Sequence, residues 1–138
     1  MGYTSYLSGE ITITPPIPWS ELQGSPFVRT PERKEYDRLV WLRMTEETVE
    51  TNEGTLIRKH AVAIRPSEAD ELRADGLARQ VQEIVTAHGD GRTFEGLFLV
   101  RGEESPDLWR VRVEDGRAVE ERPRITWPDG TEHQDGGR

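Results

Sequence analysis

Three histidines, His60, His88 and His133, carry the side chain best suited to acid–base work near neutral pH. His60 shares strand parity with Leu56, Arg58, Val62 and Ile64. By residue type and strand placement, Glu10, Arg58 and His60 form a candidate ligand or hydrolase set. The competing reading of His60 is a partly exposed strand residue. His88 closes a helical pattern, where capping or packing explains it. His133 lies with Glu132 and Asp135 in a polar C-terminal stretch. Glu103, Glu104 and Asp107 supply oxygen ligands of the kind calcium takes, but without the alternating positions and glycine of an EF-hand loop, so a solvated turn is expected. His88-Gly89-Asp90-Gly91-Arg92 follows a helix instead of opening one. That is the reverse of a phosphate-binding loop. No Walker motif, dinucleotide fingerprint, nucleophile elbow or His-Glu-x-x-His helix occurs. No catalytic residue, metal ligand or cofactor is therefore assigned.

A second candidate surface is apolar. Residues 1–28 carry only two charges, Glu10 and Glu21, whereas the remainder is highly charged. Tyr3, Tyr6, Pro16 and Trp19 lie in this segment, together with Pro15, Ile17 and Pro18. Aromatic and proline side chains present apolar area at low entropy cost, which favours contact surfaces. These four are the candidate protein-binding residues. The alternative is that Trp19 folds back as a lid on the core, and Trp41, Trp109 and Trp127 read as core or rim residues.

The elements that position these groups follow from periodicity. Leu7, Gly9, Ile11 and Ile13 alternate with polar residues, as in a half-buried strand, and Pro15, Pro16 and Pro18 are expected to end it. Short strands follow at Leu39–Met44 and Thr48–Thr51. Asn52-Glu53-Gly54 then turns the chain into a strand closed by Pro66. One long helix is predicted to start at the N-cap Ser67, with Asp70 and Glu71 in its first turn and Gly76 inside it. Leu77, Val81, Ile84, Val85 and His88 form its apolar stripe, and Gly89 ends it. Strands from Phe94, Trp109 and Val119 complete a meander whose last turn is Asp115-Gly116, with the final strand reaching Trp127. The predicted fold is α+β: a mostly antiparallel sheet of about six strands with one long helix packed on one face. Residues 1–128 form the domain and residues 129–138 a flexible tail.

The 138 residues suit one domain that can build its own core. The absence of cysteine excludes a disulfide framework and a cysteine nucleophile and fits a cytoplasmic setting. No apolar stretch is long enough to cross a bilayer, and the opening residues lack the basic and apolar regions of a signal peptide. The net charge of −8, with basic residues scattered, argues against direct nucleic-acid binding.

The opening Gly2-Tyr3-Thr4-Ser5-Tyr6-Leu7-Ser8-Gly9-Glu10-Ile11, with Thr14-Pro15-Pro16-Ile17-Pro18-Trp19, resembles an uncharacterised family of small actinobacterial and phage-associated proteins. The likeness continues through Glu53-Gly54-Thr55-Leu56-Ile57-Arg58, Val85-Thr86-Ala87-His88-Gly89, Asp107-Leu108-Trp109-Arg110 and Asp115-Gly116-Arg117-Ala118-Val119, and so spans nearly the whole chain. The resemblance implies a bacterial or phage setting and carries over no catalytic residue. The leading expectation is a non-catalytic accessory protein that binds a protein partner. The alternatives are a small-ligand (nucleotide or metal) binder or hydrolase with a sheet–helix cleft, and an acidic mimic of nucleic acid. The last is weakened by arginines interleaved among the acids (Glu103, Arg110, Arg112, Glu114).

Overall fold

The computed structural model describes residues 4–70, 72–104 and 107–133. Strand β1 (Ser5–Pro18) is followed by a single helical turn, α1 (Trp19–Leu22). A 3-10 turn (Glu35–Asp37) precedes the long hairpin β2 (Val40–Thr51) and β3 (Gly54–Pro66), then come helix α2 (Leu77–His88) and the meander β4 (Thr93–Gly102), β5 (Leu108–Glu114) and β6 (Arg117–Glu121). One six-stranded sheet runs β2-β3-β1-β4-β5-β6, with every neighbouring pair antiparallel. The fold is the α+β arrangement predicted. Among the described residues, no helix is long and apolar enough to cross a membrane.

The prolines do not end β1. Its ladder with β4 does stop at Thr14, opposite Thr93. The pairing with β3 breaks after Thr12 and resumes at Ile17, opposite Ala61. Four residues of β1 thus stand opposite the single Val62, because a proline has no N–H to give either neighbour. Beyond this bulge the strand continues beside β3 alone. The two short strands expected at Leu39–Met44 and Thr48–Thr51 are likewise one strand, which begins at Val40. The polar residues between them, Thr45 to Glu47, stay in unbroken register with His60 to Arg58, and the one register shift falls earlier, between Arg43 and Met44.

The helix starts ten residues later than its N-cap signal. Gly76, with φ of 82°, caps α2 instead of lying inside it. The Ser67 hydroxyl receives the Ala69 N–H and donates to the Glu35 carbonyl oxygen at 2.7 Å, so it closes a local turn held by a tertiary contact. Glu71 lies outside the described residues. The last strand ends at Glu121, before Pro123. Past it, Ile125 accepts from the His133 N–H at 2.6 Å in a small separate turn.

The predicted apolar stripe is the one buried. Leu77, Val81, Ile84 and Val85 share a cluster with Ile11, Phe98 and Val111 from three strands. Helix α2 also reaches both edges of the sheet. Gln80 Oε1 accepts the Leu39 N–H at 2.8 Å beside β2, and Gln82 Oε1 accepts the Ala118 N–H at 2.7 Å on β6. A sheet whose two edges touch one helix must be curled around it. Gly9 and Gly96 lie on adjacent strands with φ of 99° and 118°, in the region that favours glycine. A Cβ at Gly9 would meet the Leu97 carbonyl, and one at Gly96 the Glu10 carbonyl.

Glu35 ties the loop between α1 and β2 to the sheet. Its carboxylate receives Arg65 Nη1 and Nη2 at 3.0 Å each, Arg29 Nε at 2.6 Å and the Glu68 N–H at 2.9 Å. Its carbonyl receives the Trp41 indole N–H as well as the Ser67 hydroxyl. Hydrogen bonds from Arg65 dominate in holding its carboxyl down at about 2.

Two outcomes follow from this geometry. Gly96→Ala, which combines positive φ with a backbone collision, lowers stability by about 1–3 kcal/mol in urea unfolding. Glu35 binds fewer protons folded than unfolded, so its contribution is complete above pH 4.5 and is lost as pH falls from 4.5 towards 2. Glu35→Gln therefore costs about 1–3 kcal/mol at neutral pH and flattens the acid limb of the stability curve. An unchanged acid limb would remove Glu35 as the controlling carboxylate.

Candidate functional site

A surface hollow of about 830 Å³ opens where the bulge of β1 meets the hairpin β2–β3. One wall is Pro16, Pro18 and Trp19. Pro18 caps α1, and Leu22, fully buried, pins that turn to the core. Trp19, one turn earlier, is left 40 % exposed. The other wall is the hairpin beyond Met44, with Ile57, Arg58, Lys59 and His60 from β3 and Glu46 and Glu47 from β2. This part of the hairpin extends past the core, and Ile57 is 63 % exposed. Lys59 Nζ stands 5.7 Å from the Trp19 ring centre and 3.6 Å from Glu46, joining the two walls.

The hollow therefore gathers residues from both candidate sets. Pro16 and Trp19 come from the contact set, and Arg58 and His60 from the ligand set. Glu10 is elsewhere. Its two carboxylate oxygens accept from Arg43 Nε and Nη2 at 2.8 Å each, and that guanidinium holds its carboxyl below the usual range. Tyr6 lies towards the other end of β1, with the Arg101 guanidinium 5.4 Å from its ring centre. Tyr3 lies outside the described residues. Of the remaining tryptophans, Trp41 and Trp109 are buried and Trp127 is exposed against His133.

Chemically, the hollow combines apolar Pro16, Pro18, Trp19 and Ile57 with side chains of both charges, Arg58, Lys59, Glu46 and Glu47. It suits an apolar side chain delivered on a polar backbone. The proposed carboxylate–guanidinium–imidazole set does not assemble there, because Glu10 is engaged by Arg43. Among the described residues, no group of three or more His, Asp or Glu side chains comes together to hold a metal.

A different constellation was invisible in the sequence. His88 Nδ1 lies 2.9 Å from Glu21 Oε2, and its Nε2 lies 3.4 Å from Ser25 Oγ. Both ring nitrogens of His88 are thus engaged, one by the carboxylate and one by the serine hydroxyl. Arg92 Nη1 also donates to Glu21 at 3.0 Å and to the His88 carbonyl at 2.9 Å, and its Nε donates to Pro15. Hydrogen bonds from His88 and then Arg92 hold the Glu21 carboxyl below its usual range. The order of groups is that of a hydrolase relay. Its placement is not: Ser25 and His88 are each 7 % exposed, the Phe27 ring stands edge-on to the imidazole, and Ser25 Oγ receives the Phe27 N–H. These contacts make a latch joining α1, the loop behind it and the end of α2. The helix pattern made His88 visible as a packing residue. Partners 63 and 67 positions away carried no signal.

A fluorophosphonate, which reacts with activated serines, is expected to leave Ser25 unmodified by intact-mass measurement. Stoichiometric labelling of Ser25 would turn the latch into an active site.

No curated protein and no solved structure matches the chain. The family of unknown function DUF6205 matches it over residues 1–135. That span takes in the hollow, the latch and every strand of the sheet, so this chain belongs to the DUF6205 family.

Proposed function

We propose that this is a non-catalytic binding protein that takes an extended segment of a partner protein, anchored by an apolar side chain, into the hollow beside Trp19. On the family resemblance, its setting is that of a bacterial or phage accessory protein. The observation that carries the reading is the juxtaposition of half-exposed Trp19 with Ile57 and two prolines in a hollow also lined by Arg58, Lys59, Glu46 and Glu47. Central aromatic anchors surrounded by polar rims are the usual source of binding energy at protein interfaces. β2 supports the reading further. It is an edge strand, with β3 as its only strand partner among the described residues, and its outer half, Glu46 to Thr51, is mostly exposed. Such an edge offers main-chain groups to an extended peptide. Acidic Glu46, Glu47 and Glu50 discourage pairing with a second copy of the same edge and favour a basic or neutral partner.

Selection from a displayed random-peptide library tests this directly. Recovered sequences should share an apolar anchor, and Trp19→Ala should weaken a selected peptide about tenfold or more in calorimetry while circular dichroism stays unchanged. Equal binding to the Trp19→Ala protein, or no enrichment over it in the selection, would discard the hollow as a docking site.

A further inference from the structure

The opposite end of the sheet carries a hollow of different chemistry, independent of the reading above. It measures about 430 Å³ and sits over β5 and the chain that follows β6. Leu99 and Leu108, both partly exposed, give it apolar walls. Arg110, Arg122 and Arg124 line it, with one lining carboxylate, Glu121. In a chain of net charge −8, this is a local reversal of sign.

The pairing of these arginines is unequal. Glu121 is shared between Arg110 Nε at 2.9 Å and Arg112 Nε at 2.8 Å, so one carboxylate serves two guanidinium groups. Arg112 has Glu114 as a second partner at 3.1 Å. Arg122 reaches Asp107 only at 3.6 Å, and its guanidinium stands 5.7 Å from the Trp109 ring centre. Arg124 makes no ion pair among the described residues. A surplus of positive charge beside apolar walls favours an anion attached to an apolar body. Guanidinium groups approach here from β5 and from the segment after β6. A phosphate monoester suits that arrangement better than a carboxylate, since it offers three oxygens out of one plane and about two negative charges near neutrality.

We infer that the hollow lined by Leu99, Leu108, Arg110, Arg122 and Arg124 is a binding site for a small phosphate monoester with an apolar or aromatic body. Arg124 is the specificity-giving cation, and Arg110 and Arg122 turn partly from their carboxylates towards the ligand. The leucines hold the organic part.

Amide-resolved NMR titration of the whole protein with phenyl phosphate, inorganic phosphate and benzoate tests the site. Phenyl phosphate should give saturable shifts at Leu99, Leu108 and Arg110. It should bind about tenfold more tightly than either inorganic phosphate, which lacks the body, or benzoate, which lacks the second charge. Binding should weaken as pH falls through about 6, where the monoester takes its second proton. Arg124→Gln should cost about tenfold in affinity and Arg124→Lys less, with unchanged thermal unfolding because exposed Arg124 makes no hydrogen bond or ion pair among the described residues. No saturable shift with phenyl phosphate, equal affinity for inorganic phosphate or benzoate, or undiminished binding by Arg124→Gln would each overturn the assignment.

Discussion

A central strand must satisfy two neighbours, and β1 runs into Pro15 and Pro16 while doing so. A proline in the middle of a ladder leaves one neighbour without a donor, so sheets tolerate it at an edge or in a bulge. β1 adopts both solutions in turn. It bulges out of register with β3, loses β4 after Thr14, and finishes against β3 alone at Ile17 and Pro18. This displacement sets Trp19 at the surface and leaves the outer half of the β2–β3 hairpin without a covering layer. The Trp19 hollow is the space so produced. The bulge is itself held: Arg92 binds the Pro15 carbonyl while bridging to Glu21 and the end of α2.

The curl of the sheet depends on the same strand. Gly9 on β1 and Gly96 on β4 allow backbone approaches that a Cβ would block, and their positive φ values increase the local coil. The coiled sheet brings both its edges to a helix of only 12 residues. Gln80 and Gln82 then close the two seams with side-chain-to-backbone hydrogen bonds. One face of the sheet is thereby sealed by Leu77, Val81, Ile84 and Val85. The other face is covered at Trp41 and Arg65 by the 3-10 turn Glu35–Asp37 and elsewhere displays residues of the opposite parity, including Tyr6, Glu10, Leu99, Arg110 and Glu121.

Polar networks do the remaining joining. Glu35 and the Glu21–His88–Ser25 latch each fix the long connection between α1 and β2 to a different part of the domain. A loop with so few apolar residues needs such anchors, and each buried polar group needs its partner. The latch shows why a relay of suggestive chemistry is judged by access as well as distance. Its serine faces a phenylalanine amide and ring, where a substrate would need open space.

Local pattern alone determined the α+β class, the alternation of β1 and β4, the stripe of α2 and the hairpin turn at Asp115-Gly116. Each is written into residues within a few positions of one another. It also singled out Pro16, Trp19, Arg58 and His60, by residue type, without bringing the two pairs into one site. Tertiary structure decided what depends on distant partners. Ser67 has the chemistry of a helix cap, yet the Glu35 carbonyl takes its hydroxyl, and the helix waits for Gly76. Pro15 and Pro16 read as a stop, yet β3 offers pairing beyond them. Glu10 looked available for a ligand, yet Arg43, 33 positions away, already binds both its oxygens. Periodicity reports which face of an element is apolar. Which polar groups meet across the sheet is settled by register and curl, and those exist only once the strands are together.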